Sequence, residues 1–195
     1  MSVELSPRAS EIVSQTTQLL AAGGYSGFSY ADVSDRVHIC KASIHHHFPS
    51  KATLVQTVVA HHRREARDTM ARLDQAFPDP LDRLNAYMDL RTKCVAEGKS
   101  YMCIGVMLAA ELPILPPEVS DEVRGYFEDV STWLAALLED GAAKGQFQLR
   151  DTAYVEAKAL LSTIHGAMLT ARAMNTPESF ETVSRTAIQQ LSIER

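Results

Sequence analysis

Hydrophobic positions along the chain recur at spacings of three and four, the period of a helix with one buried face. The first such run starts after Ser6 and Pro7, a capping residue followed by a proline that suits the first helical turn. It carries apolar residues at positions 12, 13, 19 and 20 and ends at Gly23-Gly24. Apolar and polar residues do not alternate over a length that would predict a sheet. The pattern therefore predicts an all-α protein.

Capping residues, glycines and prolines divide this pattern into nine predicted helices. Ser29 caps the short second helix, and a three-residue turn at 38–40 separates it from a short third helix that Pro49 stops. Ser50 then caps a long fourth helix, a break is predicted near Gly98, and Asp151 caps the eighth helix. The predicted bounds are about 7–23, 30–37, 41–47, 51–75, 80–97, 101–112, 118–143, 151–174 and 177–191.

Composition places the chain among soluble globular proteins, with 195 residues, 46% apolar and 22% charged. The start is polar and acidic, unlike a signal peptide. The longest apolar run, 101–117, contains Glu111 and three prolines and is too short and broken to span a bilayer. Three cysteines form no paired spacing and indicate reduced thiols. We therefore expect a cytoplasmic protein without a membrane span.

Charge is distributed unevenly along the chain, although the net charge is −5. Residues 1–67 carry seven Lys and Arg against five Asp and Glu, about +2, and the remainder carries 12 against 19, about −7. Six of the seven histidines also lie in the first 67 residues. A mildly basic, His-rich head on an acidic body predicts different tasks for the two regions.

A supporting helix followed by two short helices and a tight turn is the helix-turn-helix pattern. The stretch FSYADVSDRVHICKASIHHHFPSK, residues 28–51, resembles the signature of TetR-family transcriptional repressors. The positions that carry this resemblance are Ser29, Val33, Ile39, Ile44, His47, Phe48 and Lys51.

The chain departs from the family pattern at four places. His38 stands where a turn glycine with positive φ is usual, and Cys40 replaces the usual Ser or Thr cap. Ala42 replaces a glycine, and His45-His46 replace a tyrosine or tyrosine pair. These departures concern base contacts more than the fold.

The resemblance implies a two-domain architecture with a three-helix head for DNA at 1–52. A helical domain for effector binding and dimerisation follows at 53–195. It also implies a homodimer that binds a palindromic operator and releases it when a small effector binds and shifts the sixth and fourth helices. We expect no cofactor. The predicted partners are double-stranded operator DNA, a small-molecule effector and a second copy of the chain.

The predicted DNA contacts lie on the third helix and at the starts of the second and fourth helices, where side chains and free amides can reach bases or phosphates. They are Ser29, Lys41, Ser43, His45, His46, His47 and Lys51. Val33, Val37, Ile44 and Phe48 are predicted to be core.

Consecutive histidines suggest two rival interpretations, a metal site and a catalytic site. Neighbouring side chains on a helix point about 100° apart, so His45, His46 and His47 cannot all reach one ion. Motifs of hydrolases and nucleotide-binding enzymes are missing from the sequence. We therefore predict no metal site, no catalytic residue and no enzyme. The alternative to a DNA-binding repressor is a cytoplasmic helical protein that binds a small molecule or a metal, or an enzyme, without DNA function.

The effector pocket is predicted from aromatic, sulfur-containing and polar residues in the later helices. The candidates are Tyr87, Cys103, Met107, Phe127, Trp133 and His165.

Cys103 lies in a segment that resembles one found in some thiol-sensing branches of the family. It is either a buried apolar thiol or a sensor of electrophiles. His165 is either a polar anchor for the effector or part of the dimer interface. Glu111 either pairs with a cation or faces solvent. The effector is thus small and either largely apolar or thiol-reactive.

The last two helices each carry an apolar face, and the resemblance implies that they pair with their copies in a dimer. The predicted interface residues are Leu160, Ile164, Met168, Phe180, Val183 and Leu191.

Overall fold

The computed structural model describes residues 5–96 and 103–193. The described residues form helices and no strands, which confirms the all-α prediction. The helices are α1 (Pro7–Gly23), α2 (Tyr30–Val37), α3 (Lys41–His47), α4 (Lys51–Ala76), α5 (Pro80–Ala96), α6 (Ile104–Ala110), α7 (Pro117–Ala143), α8 (Ala153–Met174) and α9 (Glu178–Leu191).

The predicted and observed helix bounds agree for the short helices of the head and differ at the end of α6 and the start of α8. The helices α2 and α3 begin and end at the predicted residues. In contrast, α6 ends at Ala110, and a 3₁₀ turn at Leu112–Ile114, which contains a proline, replaces its predicted last turn. The N-cap of α8 is Thr152 rather than Asp151, since the Thr152 hydroxyl accepts from the Val155 amide at 3.4 Å. The predicted break near Gly98 and positions 101–102 lie outside the described residues.

The chain packs as two compact units. The first unit consists of the chain up to Arg64 together with Cys103–Tyr126. The second consists of the other described residues, from Glu65 to Ala96 and from Phe127 onwards. The long helices α4 and α7 contribute residues to both units. Among the described residues, no helix is long and apolar enough to cross a membrane.

The core of the first unit forms where α1 packs on α2 and α6, and α2 packs on α3. All four head residues predicted to be core are buried, with Val33 and Ile44 fully inaccessible. Burial of a branched aliphatic side chain contributes about 1.5–3 kcal/mol. This apolar support holds α3, a helix of only seven residues, against α2.

The core of the second unit forms between α8 and α9 and between α5 and α9. The segment between α7 and α8 is tied to the end of α9 by two backbone hydrogen bonds. The Gln148 amide donates to the Leu191 carbonyl at 2.8 Å, and the Ile193 amide donates to the Gln146 carbonyl at 2.9 Å. These bonds fix the end of the α8–α9 pair.

Candidate nucleic-acid interface and effector site

The turn between α2 and α3 has a left-handed residue at His38, with φ 54° and ψ 44°. This confirms the positive φ predicted at the position where relatives carry glycine. The Ser34 hydroxyl donates to the Ile39 carbonyl, and the Ile39 amide donates back to the Ser34 carbonyl at 3.2 Å. The turn is thereby closed, and it sets the direction in which α3 leaves α2.

A complete capping box starts α2. The Ser29 hydroxyl accepts from the Ala31 amide at 3.2 Å, and the Asp32 carboxylate accepts from the Ser29 amide at 2.7 Å. Hydrogen bonds from the Ser29 side chain and backbone lower the pKa of Asp32. Ser29 is exposed, but its hydroxyl also donates to Asp32 at 2.8 Å, so the structure gives it a capping role.

One face of α3 is exposed, and we call it the α3 outer face. It consists of Lys41, Ala42, His45 and His46, which are all exposed, whereas Ile44 on the opposite side is fully buried. These four residues occupy two adjacent rows at i, i+4 spacing, so they form one continuous surface. Ser43 and His47 are half-buried at its edges.

Aromatic contacts orient the histidines of α3. The His45 ring lies 4.6 Å from the Tyr30 ring, and its Nδ1 lies 3.3 Å from the Pro49 carbonyl oxygen. Tyr30 in turn donates to the Phe48 carbonyl at 2.8 Å. The His46 and His47 rings meet edge to face at 5.6 Å. Within residues 5–96 and 103–193, no three His, Cys, Asp or Glu side chains are grouped as metal ligands.

Lys51, at the start of α4, is held against the head of its own chain. Its ammonium donates to the Phe28 carbonyl and lies 4.2 Å and 4.7 Å from the ring centroids of Phe28 and Tyr25. Burial lowers the pKa of Lys51, although Glu111 and Asp32 oppose this effect. The described contacts of Lys51 are therefore intramolecular, and its contact with DNA stays a prediction.

Glu111 connects the C-terminal end of α6 to the loop between α1 and α2. Its carboxylate accepts from the Tyr25 amide at 2.5 Å and from the Ser26 amide at 3.0 Å. Burial alone would raise the pKa of Glu111, but these hydrogen bonds and the charge of Lys51 outweigh it, and the pKa lies below its usual value. The sequence predicts that Glu111 either pairs with a cation or faces solvent. The structure shows it half-buried, with two backbone amides as hydrogen-bond partners and with the charge of Lys51 acting on it.

Gly24 is required beside this carboxylate. It has φ 71° and ψ −167°, a conformation essentially restricted to glycine, and an added Cβ would lie 2.3 Å from a Glu111 oxygen. We call Glu111 with its Gly24–Ser26 loop the α6 clamp. Sequence reasoning missed it, because the partners are 85 and 86 residues apart.

The second unit brings four of the predicted pocket residues into two ring contacts. The Tyr87 and Trp133 rings lie 5.3 Å apart, and Phe127 and His165 meet edge to face at 5.3 Å. The Trp133 indole N–H donates to the Asp74 carboxylate at 3.0 Å, which fixes its ring. These pairs bring α5 to α7 and α7 to α8 through aromatic surfaces.

Two polar atoms beside these rings are buried without hydrogen-bond partners among the described residues, the Tyr87 hydroxyl and His165 Nε2. Burial, and then the charge of Arg91, lower the pKa of His165 to about 3, so the imidazole is neutral at neutral pH. The Arg91 guanidinium lies 5.6 Å from the Tyr87 ring centroid. Arg91, one helical turn after Tyr87, was absent from the predicted pocket, although that spacing was visible in the sequence.

The remaining pocket candidates, Cys103 and Met107, belong to the first unit. Cys103 is buried, and its sulfur lies 3.5 Å from Nε2 of His62 on α4. The thiol also donates to the Tyr126 hydroxyl at 3.2 Å, and the His62 and Tyr126 rings lie 5.0 Å apart. Met107 is half-buried on α6.

The predicted dimer residues occupy two environments in α8 and α9. Four of them lie in the interior of the second unit, Leu160, Ile164, Met168 and Phe180. Leu191 is half-buried, and Val183 is 43% exposed. Further exposed apolar side chains on α8 are Val155, Leu169 and Met174.

Two family models match the chain. Residues 12–58 match the model of bacterial regulatory proteins of the tetR family. Residues 80–187 match the model of the tetracyclin repressor-like C-terminal domain. No curated protein matches the chain significantly.

Solved structures agree with these matches. A TetR-family transcriptional regulator from Agrobacterium tumefaciens is 41% identical over 95% of this chain and 98% of its own, with a TM-score of 0.93. A TetR regulator from Legionella pneumophila is 23% identical over 97% and 100%, with a TM-score of 0.86. The reduced form of E. coli NemR is 19% identical over 97% and 99%, with a TM-score of 0.85. The last two likenesses concern the fold.

Proposed function

The chain belongs to the TetR family of DNA-binding transcriptional regulators, which are not enzymes, and we propose that it represses transcription as an effector-responsive homodimer. Operator DNA is the proposed partner of the head, and a small molecule is the proposed ligand of the second unit. Because the proposed operator is chromosomal DNA, we also propose a cytoplasmic location.

The observation that carries this proposal is the α3 outer face. It presents one ammonium and two imidazoles on a helix narrow enough for the major groove. The exposed methyl of Ala42, which sequence reasoning did not include, adds an apolar surface suited to a thymine methyl group. We propose that Lys41, His45 and His46 contact bases or phosphates of the operator. Ser43 and His47 lie at the edges of this contact, and Ser29 and Lys51 are proposed to lie beside the DNA phosphates.

Salt-dependent binding to DNA from its own promoter tests this function. A dimer with about six phosphate contacts is expected to give a log–log slope near −5, with clear preference over random DNA. Lys41→Ala should weaken binding to all sequences and reduce the slope by about two, one for each head. His46→Ala should instead relax sequence preference. A pure protein that binds promoter and random DNA equally would contradict the proposal.

Dimerisation is proposed through the exposed side of α8 and α9. Val155, Leu169, Met174 and Val183 expose 43–66% of their surface there. Gly166 leaves open space on α8, since an added Cβ would contact nothing within 4 Å. Leu160, Ile164, Met168, Phe180 and Leu191 would support this surface from within. The two-fold pairing would present two α3 helices to half-sites of a palindrome.

Analytical ultracentrifugation tests the proposed interface. Leu169→Glu is expected to raise the dimer dissociation constant roughly tenfold or more, because it introduces a charge at each copy of the interface. Ile114→Glu is a matched control, since Ile114 is 63% exposed in the 3₁₀ turn of the first unit. Equal effects of both substitutions, or none from Leu169→Glu, would argue against this interface.

Effector binding is proposed to shift the protein between a DNA-binding state and a released state. Such a shift requires the effector to prefer the released state by several kcal/mol. The ring contacts of Tyr87, Trp133, Phe127 and His165 support a non-covalent site for a largely apolar molecule in the second unit.

A thiol-reactive effector is the second candidate, and the Cys103 contacts favour it. His62 Nε2, 3.5 Å from the sulfur, can accept the thiol proton in place of the Tyr126 hydroxyl as the sulfur adds to one carbon of an activated C=C bond; that double bond opens, and the proton is returned to its other carbon. With exposed Cys40 and Cys94 replaced by serine, one equivalent of N-ethylmaleimide should label Cys103 and release the operator. Cys103→Ser in this background should bind operator without responding. Release that persists in that variant would contradict the thiol candidate.

A further inference from the structure

Among the buried polar groups of the second unit whose hydrogen bonds are incomplete, two lie beside the aromatic rings of α5, α7 and α8. Tyr87 is 5% exposed and His165 is 7% exposed. Neither the Tyr87 hydroxyl nor His165 Nε2 has a hydrogen-bond partner among the described residues. Burial of such groups without partners destabilises a protein, so most are satisfied by protein, water or ligand.

Arg91 links these two groups electrostatically. It lies one turn after Tyr87 on α5, with its guanidinium 5.6 Å from the Tyr87 ring centroid. Its positive charge also acts on His165, across on α8, and disfavours the protonated imidazole. The neutral imidazole and the phenol can each donate one hydrogen bond, and the charge of Arg91, which lies 5.6 Å from the Tyr87 ring and acts on His165, favours an anion beside them. An anionic oxygen is the ligand group that these three side chains suit together.

Two aromatic rings contact the members of this polar group. Trp133 lies 5.3 Å from Tyr87, at an interplanar angle of 54°, and Phe127 presents an edge contact to His165. The Trp133 indole N–H is already bonded to Asp74, so its ring contributes apolar surface rather than a donor. Flat, apolar ligand bodies pack well against such rings.

We propose that Tyr87, Arg91 and His165 form the polar end of a site that selects small aromatic carboxylates. Trp133 and Phe127 contact the ring of the ligand. This inference deepens the proposed function by naming the effector class, and the effector role rests on that function. Carboxylate binding itself is independent of DNA binding and can be measured separately.

Trp133 provides the readout, because it is the only tryptophan in the 195-residue chain. The full-length protein is titrated at pH 7 with benzoate and with benzamide, its neutral analogue of similar shape. Benzoate is expected to change Trp133 fluorescence saturably and to bind at least tenfold more tightly than benzamide. Loss of one hydrogen bond to an anion weakens binding roughly tenfold to a hundredfold, and this loss is expected for Tyr87→Phe.

Three variants complete the test. His165→Leu should weaken benzoate about tenfold, whereas His165→Gln, which keeps an N–H donor, should stay within about threefold of the wild type. Tyr154→Phe is the matched tyrosine control, because the Tyr154 hydroxyl donates to Glu128 at the surface, at 2.9 Å, and it should not change benzoate binding. Thermal denaturation of each variant without ligand verifies folding.

Several outcomes would overturn the inference. Equal affinity for benzoate and benzamide would remove the selection for an anion. Unchanged benzoate binding in folded Tyr87→Phe and His165→Leu would place the ligand elsewhere. No response to millimolar benzoate would mean that the two polar atoms are satisfied by water only. Promoter binding by the same preparation is measured in parallel, so that benzoate binding without operator preference contradicts the proposed function alone.

Discussion

Two buried tyrosines show how the two units differ. Tyr126 in the first unit is 1% exposed, and its hydroxyl accepts a hydrogen bond from Cys103 at 3.2 Å. Tyr87 in the second unit is 5% exposed, and its hydroxyl has no such partner among the described residues. The residue types and burial are similar, but the polar atom is satisfied in one unit and left incomplete in the other.

The same contrast holds for the ionisable groups. The half-buried Glu111 of the first unit is ionised and bonded to two backbone amides. In the second unit, His165 is kept neutral by its surroundings, and no described residue is hydrogen-bonded to its Nε2. A unit with satisfied polar groups suits a structure that presents α3 in one orientation. Unsatisfied groups in an aromatic surrounding suit a unit that is completed by a ligand.

The largest expected effect concerns the pH dependence of stability at His165. Its folded-state pKa of about 3 lies below its ordinary value, so its stabilising contribution is present above about pH 6.5 and is lost as pH falls towards 3. Between pH 7 and pH 4, the wild type should lose on the order of 3 kcal/mol more unfolding free energy than His165→Gln. Urea unfolding at each pH measures this difference. Parallel curves for the two proteins would show that His165 is not held neutral.

The next largest effect concerns the α6 clamp. Gly24→Ala forces an alanine into a conformation that favours glycine and places its Cβ against Glu111, so we expect a loss of about 2 kcal/mol in unfolding free energy. Gly23→Ala is the matched control, because an added Cβ there contacts nothing within 4 Å and improves helix propensity. Chemical denaturation measures both variants, and similar values would argue that the clamp geometry is unimportant.

A smaller effect is expected for Glu111→Gln. It weakens two charge-assisted hydrogen bonds in a half-exposed position, so the loss at pH 7 should be about 1 kcal/mol. Because the pKa of Glu111 is lowered, the difference from wild type should shrink as pH falls through that pKa. The exposed Glu139 provides a control in Glu139→Gln, expected to change stability little. A difference that persists unchanged at low pH would exclude an ionised Glu111 as its cause.

The smallest effect tests the two tyrosines directly. Tyr126→Phe should cost about 0.5–1 kcal/mol, because it removes the acceptor of the Cys103 thiol, which is a weak donor. Tyr87→Phe without ligand should change stability by less than about 0.5 kcal/mol or raise it, because no described hydrogen bond is lost. Urea unfolding of the ligand-free proteins compares them, and equal losses would remove the contrast between the units.

Much of the fold could be predicted from the sequence where the signals are local. Ser29, the predicted cap of the second helix, lies three residues before Asp32 and forms a capping box with it, and Pro49 stands two residues after the third helix. The positive φ at His38 was predictable from its place in the helix-turn-helix motif. The prediction was wrong at the end of α6, where a helix to about residue 112 was expected. The α-helix ends at Ala110, and a 3₁₀ turn that contains Pro113 follows it.

The candidate site was predictable only as a set of residue types. The sequence indicates Tyr87, Phe127, Trp133 and His165 as polarisable or polar residues among apolar helices. Their pairing into Tyr87–Trp133 and Phe127–His165 depends on how α5, α7 and α8 pack. The sequence places Arg91 one turn after Tyr87, but its effect on His165 acts between helices that are distant in sequence and depends on their packing.

The sequence by itself determined the helices of the head, its turn and the residues of the α3 outer face, because capping, helical period and φ preference act within a few residues. Tertiary structure alone decided that Glu111 holds the loop after α1 and that the Tyr87 hydroxyl and His165 Nε2 find no partner within 5–96 and 103–193. A hydrogen bond between residues 86 positions apart, or the absence of one in a core, depends on side-chain packing between helices. The local sequence around either residue does not specify that packing.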